Sequence, residues 1–309
     1  MKRVLIVLIL WGVLIVAGWQ VFHHETKLVY LGSEQVSRRS AALSFQESIL
    51  SKDLINRYRR GKLRVLVVPG HDNQYSGASY QGKREADFNI EFARYLVEAL
   101  AADPKLEVMV ARDLLTGFYS AEIAELLDQD RDSVLSFKAA KKSLMNELLA
   151  GGLVEDRSTN NHSFATSEIS YRLYGINKWI NDNDIDLVIH IHFNDYPGHK
   201  SGPGKYKGIT VYTPDEQYPN GQAGIDVGVA VFEALNQIRP TSNNPLELTG
   251  VVPDQELIAI GSNASVNAAA ILVEYGYIYE PEFQSPVERE KIFKAMAEKT
   301  YEGLVNYLD

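Results

Sequence analysis

At 309 residues, 45% of them hydrophobic, the chain is long enough to bury one sizeable core or two small ones. A net charge of −9, with no Lys/Arg-rich run, excludes a basic nucleic-acid-binding role and tight electrostatic adhesion to an anionic polymer. The absence of cysteine excludes disulfides, thiol catalysis and Cys-ligated zinc.

The N-terminus bears on location. Met1-Lys2-Arg3 precedes nineteen uncharged residues, Val4 to Phe22. As a helix this run spans roughly 28 Å, close to the hydrocarbon thickness of a bilayer. Lys2 and Arg3 are expected to stay cytoplasmic, which places the rest outside. Residues 1–22 are therefore expected to be a single-pass transmembrane anchor; the rival is a signal peptide cut near Val16-Ala17-Gly18. Either way the globular part is expected on the periplasmic or cell-wall side. Residues 23–60 are polar and mixed in charge, and read as a juxtamembrane linker with a helical part. His23 and His24 there read as surface residues.

From Leu63 the pattern alternates strand and helix, which predicts an α/β fold. The expected architecture is a single domain over 61–309, with a mostly parallel, mixed central sheet flanked by helices. The run Val65-Leu66-Val67-Val68-Pro69 predicts a buried strand at 63–69, followed by Gly70-His71. Ala86, Ile90, Ala93, Val97 and Leu100 form one stripe of a helix over 85–100. A strand follows at 106–111. Residues 114–165 interrupt the rhythm with helical patterns near 119–129 and 132–149, the second stopped by Gly151-Gly152, and then a polar loop. This insertion is expected to be a lid or the dock of a regulatory partner, or else a surface elaboration. Beyond it come a helix at 166–181, strands at 186–193 and 208–212, a helix at 225–238, a short strand at 257–260, a strand at 270–275 and a closing helix at 285–308.

The unusual polar groups gather at strand ends. His71 follows the first strand, and Glu85 opens the next helix. His190 and His192 lie two apart, so both point to one face of their strand. Glu274 interrupts an otherwise apolar run. Each has a plain reading alone: a turn cap for His71, a helix-dipole partner for Glu85, a hydrogen-bonded core pair for the two histidines. Together they place two imidazoles and a carboxylate where a zinc ion with one open position would sit, with another glutamate as general base.

These residues also carry a resemblance. Val68-Pro69-Gly70-His71, Gly77-Ala78 and Glu85 before a helix resemble the opening motif of the zinc-dependent N-acetylmuramoyl-L-alanine amidases of the amidase-3 type, which are bacterial cell-wall hydrolases. Val110-Ala111-Arg112 is similar to the strand before that family's usual loop, and Arg172 and Asn177 to its next helix. His190-Ile191-His192-Phe193-Asn194 resembles its Ser-Ile-His-x-Asn strand. Leu272-Val273-Glu274-Tyr275-Gly276-Tyr277 resembles its Val-Glu-x-Gly-Phe strand.

The resemblance implies Zn2+ held by His71, Glu85 and His192, with Glu274 as the catalytic glutamate. It implies peptidoglycan as substrate, cut at the amide between N-acetylmuramic acid and L-alanine. Asp72-Asn73 stands where the family has Gly-Gly, and His190 where it has Ser. His190 is thus either a residue behind the ligands, the reading we favour, or a competing ligand. Asn194 either orients a ligand, hydrogen-bonds substrate, or ends the strand. Two other functions stay open at this level: a non-catalytic peptidoglycan-binding protein, and a zinc peptidase acting within the stem peptide.

Overall fold

The computed structural model describes residues 49–158, 165–196, 199 and 202–309. The expected membrane anchor and most of the linker lie outside the described residues. Among the described residues no helix is long and apolar enough to cross a membrane.

The linker's helical part is α1 (Ser51–Arg59). The domain then runs β1 (Leu63–Pro69), a short hairpin of β2 (Ser79–Tyr80) and β3 (Lys83–Arg84), α2 (Glu85–Ala101) and β4 (Leu106–Val110). The insertion supplies α3 (Ala121–Gln129) and α4 (Arg131–Ala150). After it come α5 (Ser167–Asp182), β5 (Leu187–Asn194), β6 (Thr210–Pro214), α6 (Gly221–Leu235), β7 (Val251–Asp254), two 3-10 turns (Ile258–Ile260 and Ser262–Ala264), β8 (Ala269–Tyr277), α7 (Pro281–Gln284) and α8 (Pro286–Leu308).

Six strands form one mixed sheet in the order β4-β1-β5-β8-β6-β7. The first four are mutually parallel, whereas β6 runs antiparallel to β8 and parallel to β7. One edge, called upper here, therefore collects the C-terminal ends of β1, β5 and β8 and the N-terminal ends of β6 and β7. The central strands are apolar on both faces because helices cover both. Val65, Val67, Ile189, Ile191, Ile271 and Val273 pack with Phe88, Phe92, Phe293 and Leu304 of α2 and α8. Leu66, Val68, Val188, Ala270 and Leu272 pack with Ile123, Val134, Tyr174 and Ile180 of α3, α4 and α5. Phe193 is wholly buried among Phe88, Phe92, Phe283 and Phe293, mostly edge to face. Burying such a ring contributes about 1.5–3 kcal/mol, and here it fixes the end of β5.

One sequence expectation changes. The apolar run at 257–260 is a 3-10 turn rather than a strand, with Ala259 and Ile260 buried on the α5 side of the sheet. The strand lies earlier, at β7, and carries Pro253. A proline lacks the ladder N–H, and β7 tolerates it because it is the sheet's last strand. The insertion begins at the upper edge, where Thr116 O accepts from Asn73 Nδ2 at 3.2 Å and Tyr119 donates to Asp72 at 2.9 Å. Its helices lie along one face of the sheet. Its exit segment is tied at the lower edge, where Glu155 N donates to Gln217 Oε1 at 2.8 Å and Gln255 Nε2 donates to Glu155 O at 2.9 Å. Residues 159–164 lie outside the described residues.

The helix α1 is clamped at the lower edge too. Ile49 N donates to Asn267 O at 3.2 Å, just before β8 begins, and Tyr58 donates to Asp103 at 2.8 Å.

Candidate active site

The upper edge carries the polar groups. Gly70 continues β1 and donates its N–H to Ile191 O at 2.9 Å, while its carbonyl accepts from Asn89 Nδ2 at 2.8 Å and Arg112 Nη1 at 3.2 Å. The chain then turns sharply, with His71 in the left-handed region at φ 59°. A non-glycine residue held there is strained, and such strain gathers at functional sites. Glu85 is the first residue of α2, a position that favours a negative charge. Its Oε2 accepts from Ala78 N at 2.9 Å and its Oε1 from Phe193 N at 3.3 Å.

These supports bring three side chains together. His71 Nε2 lies 3.0 Å from Glu85 Oε2, and His192 Nδ1 lies 2.9 Å from Glu85 Oε1. One ligand atom from each of the three lies within 4.8 Å of the others. The imidazole rings meet edge to face, centroids 5.0 Å apart. Two glycines make the room. A Cβ at Gly70 would sit 2.2 Å from His192 Nε2, and one at Gly77, whose φ is +71°, would sit 2.3 Å from Glu85 Oε2. Burial alone would raise the Glu85 carboxyl, yet the two imidazoles hold it well below the usual carboxylate range. Desolvation would lower His71, but Glu85 leaves it raised. In His192 desolvation wins, and the ring is pushed down.

Glu274 stands opposite His192 in the β5–β8 register. Its Oε2 is buried without a hydrogen-bond partner among the described residues. Desolvation first, then the charges of Glu85 and Glu247, push its carboxyl well above the ordinary range. A carboxyl poised in this way suits general acid–base work. His190 does not join the three-residue cluster. It sits buried behind it, bonded to the backbone of Ala259, with Nε2 unpartnered; desolvation and the neighbouring His192 push it down to about 3. It is thus a neutral imidazole in the sheet.

Three groups here were not among the expected site residues. Glu247, in the loop before β7, is 2% exposed and bonded to Asn194 and Tyr277. Asp72 accepts from the backbone of Gln74 and Tyr75, from Tyr119 at 2.9 Å and from Arg172 at 2.6 Å. Burial would raise Asp72, but these bonds leave it lowered. Arg112 is buried, donates to Gly117 O and Gly70 O, and fixes the turn that bears His71. The substitution of Asp for a glycine at position 72 was visible; its partner, a hundred residues on, was not.

The amidase-3 family model, described as N-acetylmuramoyl-L-alanine amidase, matches residues 65–306. No curated protein sequence matches the chain. Among solved structures, the N-acetylmuramyl-L-alanine amidase Ami1 from Mycobacterium smegmatis is similar at a TM-score of 0.52 and 14% identity, over 80% of this chain and 96% of that one. The CwlD amidase from Clostridioides difficile, solved in complex with the GerS lipoprotein, gives 0.50 and 16% over 80% and 98%. Apo Ami1 from Mycobacterium abscessus gives 0.50 and 14% over 80% and 99%. The chain belongs to the N-acetylmuramoyl-L-alanine amidase family. Its reaction is hydrolysis of the amide that joins N-acetylmuramic acid to L-alanine in peptidoglycan.

Proposed function

We propose that this amidase works with one zinc ion held by His71, Glu85 and His192, and that Glu274 moves the protons. The observation that carries the reading is the convergence of two imidazoles and a carboxylate within 4.8 Å, from elements far apart in the chain. The donor set fits zinc: nitrogen and oxygen ligands, three in number, in space that Gly70 and Gly77 keep clear. Zinc bound there supplies a Lewis acid that polarises the scissile carbonyl and lowers the pKa of water to about 7.

The chain's own groups do the rest. Glu274 accepts a proton from the attacking water and returns it to the departing nitrogen, which is the step that makes an amine a tolerable leaving group. Glu85 is held by the backbone of Ala78 and Phe193, so its oxygens stay fixed between the two imidazoles. His190 fills the space behind His192 as a neutral ring.

The domain is proposed to span 61–309, tethered through residues 1–22 with its catalytic part extracytoplasmic. Mass spectrometry of products from purified peptidoglycan with added zinc tests the reading. Free lactyl carboxyls on muramic acid, paired with new L-alanine N-termini, are expected. Shortened stem peptides would instead mean a peptidase, and binding without products a non-catalytic grip.

A further inference from the structure

Glu247 has no part in the mechanism above, yet it is the most fully satisfied carboxylate near the site. It sits in the loop between α6 and β7, which is bonded along the start of β6: Ser242 N donates to Ile209 O at 2.8 Å and Val211 N to Gly250 O at 2.8 Å. Its Oε1 accepts from Asn194 Nδ2 at 2.9 Å, Tyr212 OH at 3.0 Å and Asn244 Nδ2 at 3.1 Å. Its Oε2 accepts from Ser242 Oγ at 2.5 Å and Tyr277 OH at 2.9 Å. All five donors are neutral, and together they fix both oxygens.

The consequence falls on Asn194. An asparagine amide has a donating and an accepting side, and packing alone seldom distinguishes them. A carboxylate can only accept, so Glu247 forces Nδ2 inward. Oδ1 is then left on the other side, and it accepts no hydrogen bond from the described residues. Asn194 is half-buried at the end of β5, two residues past His192. That is about 7 Å further along the strand. A peptide repeats its N–H about every 3.5 Å.

We propose that Glu247 is a positioning residue: it orients Asn194 so that Oδ1 accepts the first peptide N–H of the stem beyond the scissile amide. This rests on the amidase reading and adds a point of substrate specificity to it. A glutamine at 247 can donate as well as accept, so it would release the amide to flip.

The test uses two soluble substrates, a muropeptide and its analogue with an ester oxygen in place of that N–H. On the muropeptide, Glu247→Gln and Asn194→Ala should each lower kcat/KM roughly tenfold, and the double variant no further than the worse single one. The wild type should lose roughly tenfold on the ester analogue, and the variants should lose nothing more. Losses that multiply in the double variant, or equal proportional losses on both substrates, would overturn the proposal. If Glu247→Gln fails to give a wild-type melting transition, Asn194→Ala on the two substrates decides alone, and an unchanged substrate ratio refutes the assignment. A wild-type protein that leaves the muropeptide uncut would refute the amidase reading itself, a separate outcome.

Discussion

Glu274 and Glu247 are close enough for the charge of one to raise the carboxyl of the other, yet the chain surrounds them in opposite ways. Around Glu247 stand five donors, and its hydrogen-bonding capacity is filled. Around Glu274 one oxygen is buried with no partner among the described residues, and burial leaves the group ready to hold a proton. A satisfied buried carboxylate locks its neighbours; an unsatisfied one costs stability and is retained where a reaction uses it. Glu247 is buried and Glu274 half-buried with one oxygen covered, so degree of burial alone does not mark the reactive one. Hydrogen-bond satisfaction does.

The contrast can be broken experimentally. Glu274→Gln should lower kcat by about a thousandfold while leaving the melting temperature equal or higher, since a poorly paired buried acid is removed. Turnover and thermal melting would check it, and a variant within tenfold of wild-type kcat would end the contrast. Glu247→Leu should do the reverse. It orphans five donors, so urea unfolding should show a loss of about 3 kcal/mol or more. A stability change under about 1 kcal/mol would mean the cage is loosely held.

Two smaller effects sharpen the picture around the cluster. Gly77→Ala puts a Cβ against Glu85 Oε2 in a left-handed backbone, so zinc affinity should drop about tenfold or more, as read by competition with a chromophoric chelator. Unchanged affinity would show that the loop yields easily. His190 is smaller still. Its folded pKa of about 3 lies below the ordinary 6.5, so between those values the unfolded chain takes up a proton that the folded one refuses. Stability should therefore fall as pH drops through that window, and be fully present above it. From pH 6 to 5 the metal-free wild type should lose about 1 kcal/mol more than His190→Gln. Equal losses would mean that His190 is protonated in the fold.

Much of this was legible in the chain. Val65 to Val68, Leu187 to Ile189 and Ala270 to Val273 are apolar runs that only strands covered on both faces explain, and the polar residues ending them predicted one shared edge. What stayed hidden depends on partners distant in sequence. Glu247 lies among asparagines, a serine and leucines, where nothing marks it for burial; its environment is built by Asn194, Tyr212 and Tyr277. The pairing of Asp72 with Arg172 joins a turn to a helix beyond the insertion. β7 is a four-residue edge strand containing a proline, too short and irregular to show as an apolar run. The insertion's helices were legible from their spacing, but where they pack was not, because an amphipathic stripe says that a face is buried and not against what.

The account stands on the three-residue cluster, and zinc stoichiometry measures it most directly. Dialysed against zinc, the wild type and Glu274→Gln should each retain one ion per chain, while His71→Ala, Glu85→Ala and His192→Ala should each lose it. Zinc retained at full stoichiometry in those three variants, or lost in Glu274→Gln, would contradict the assignment.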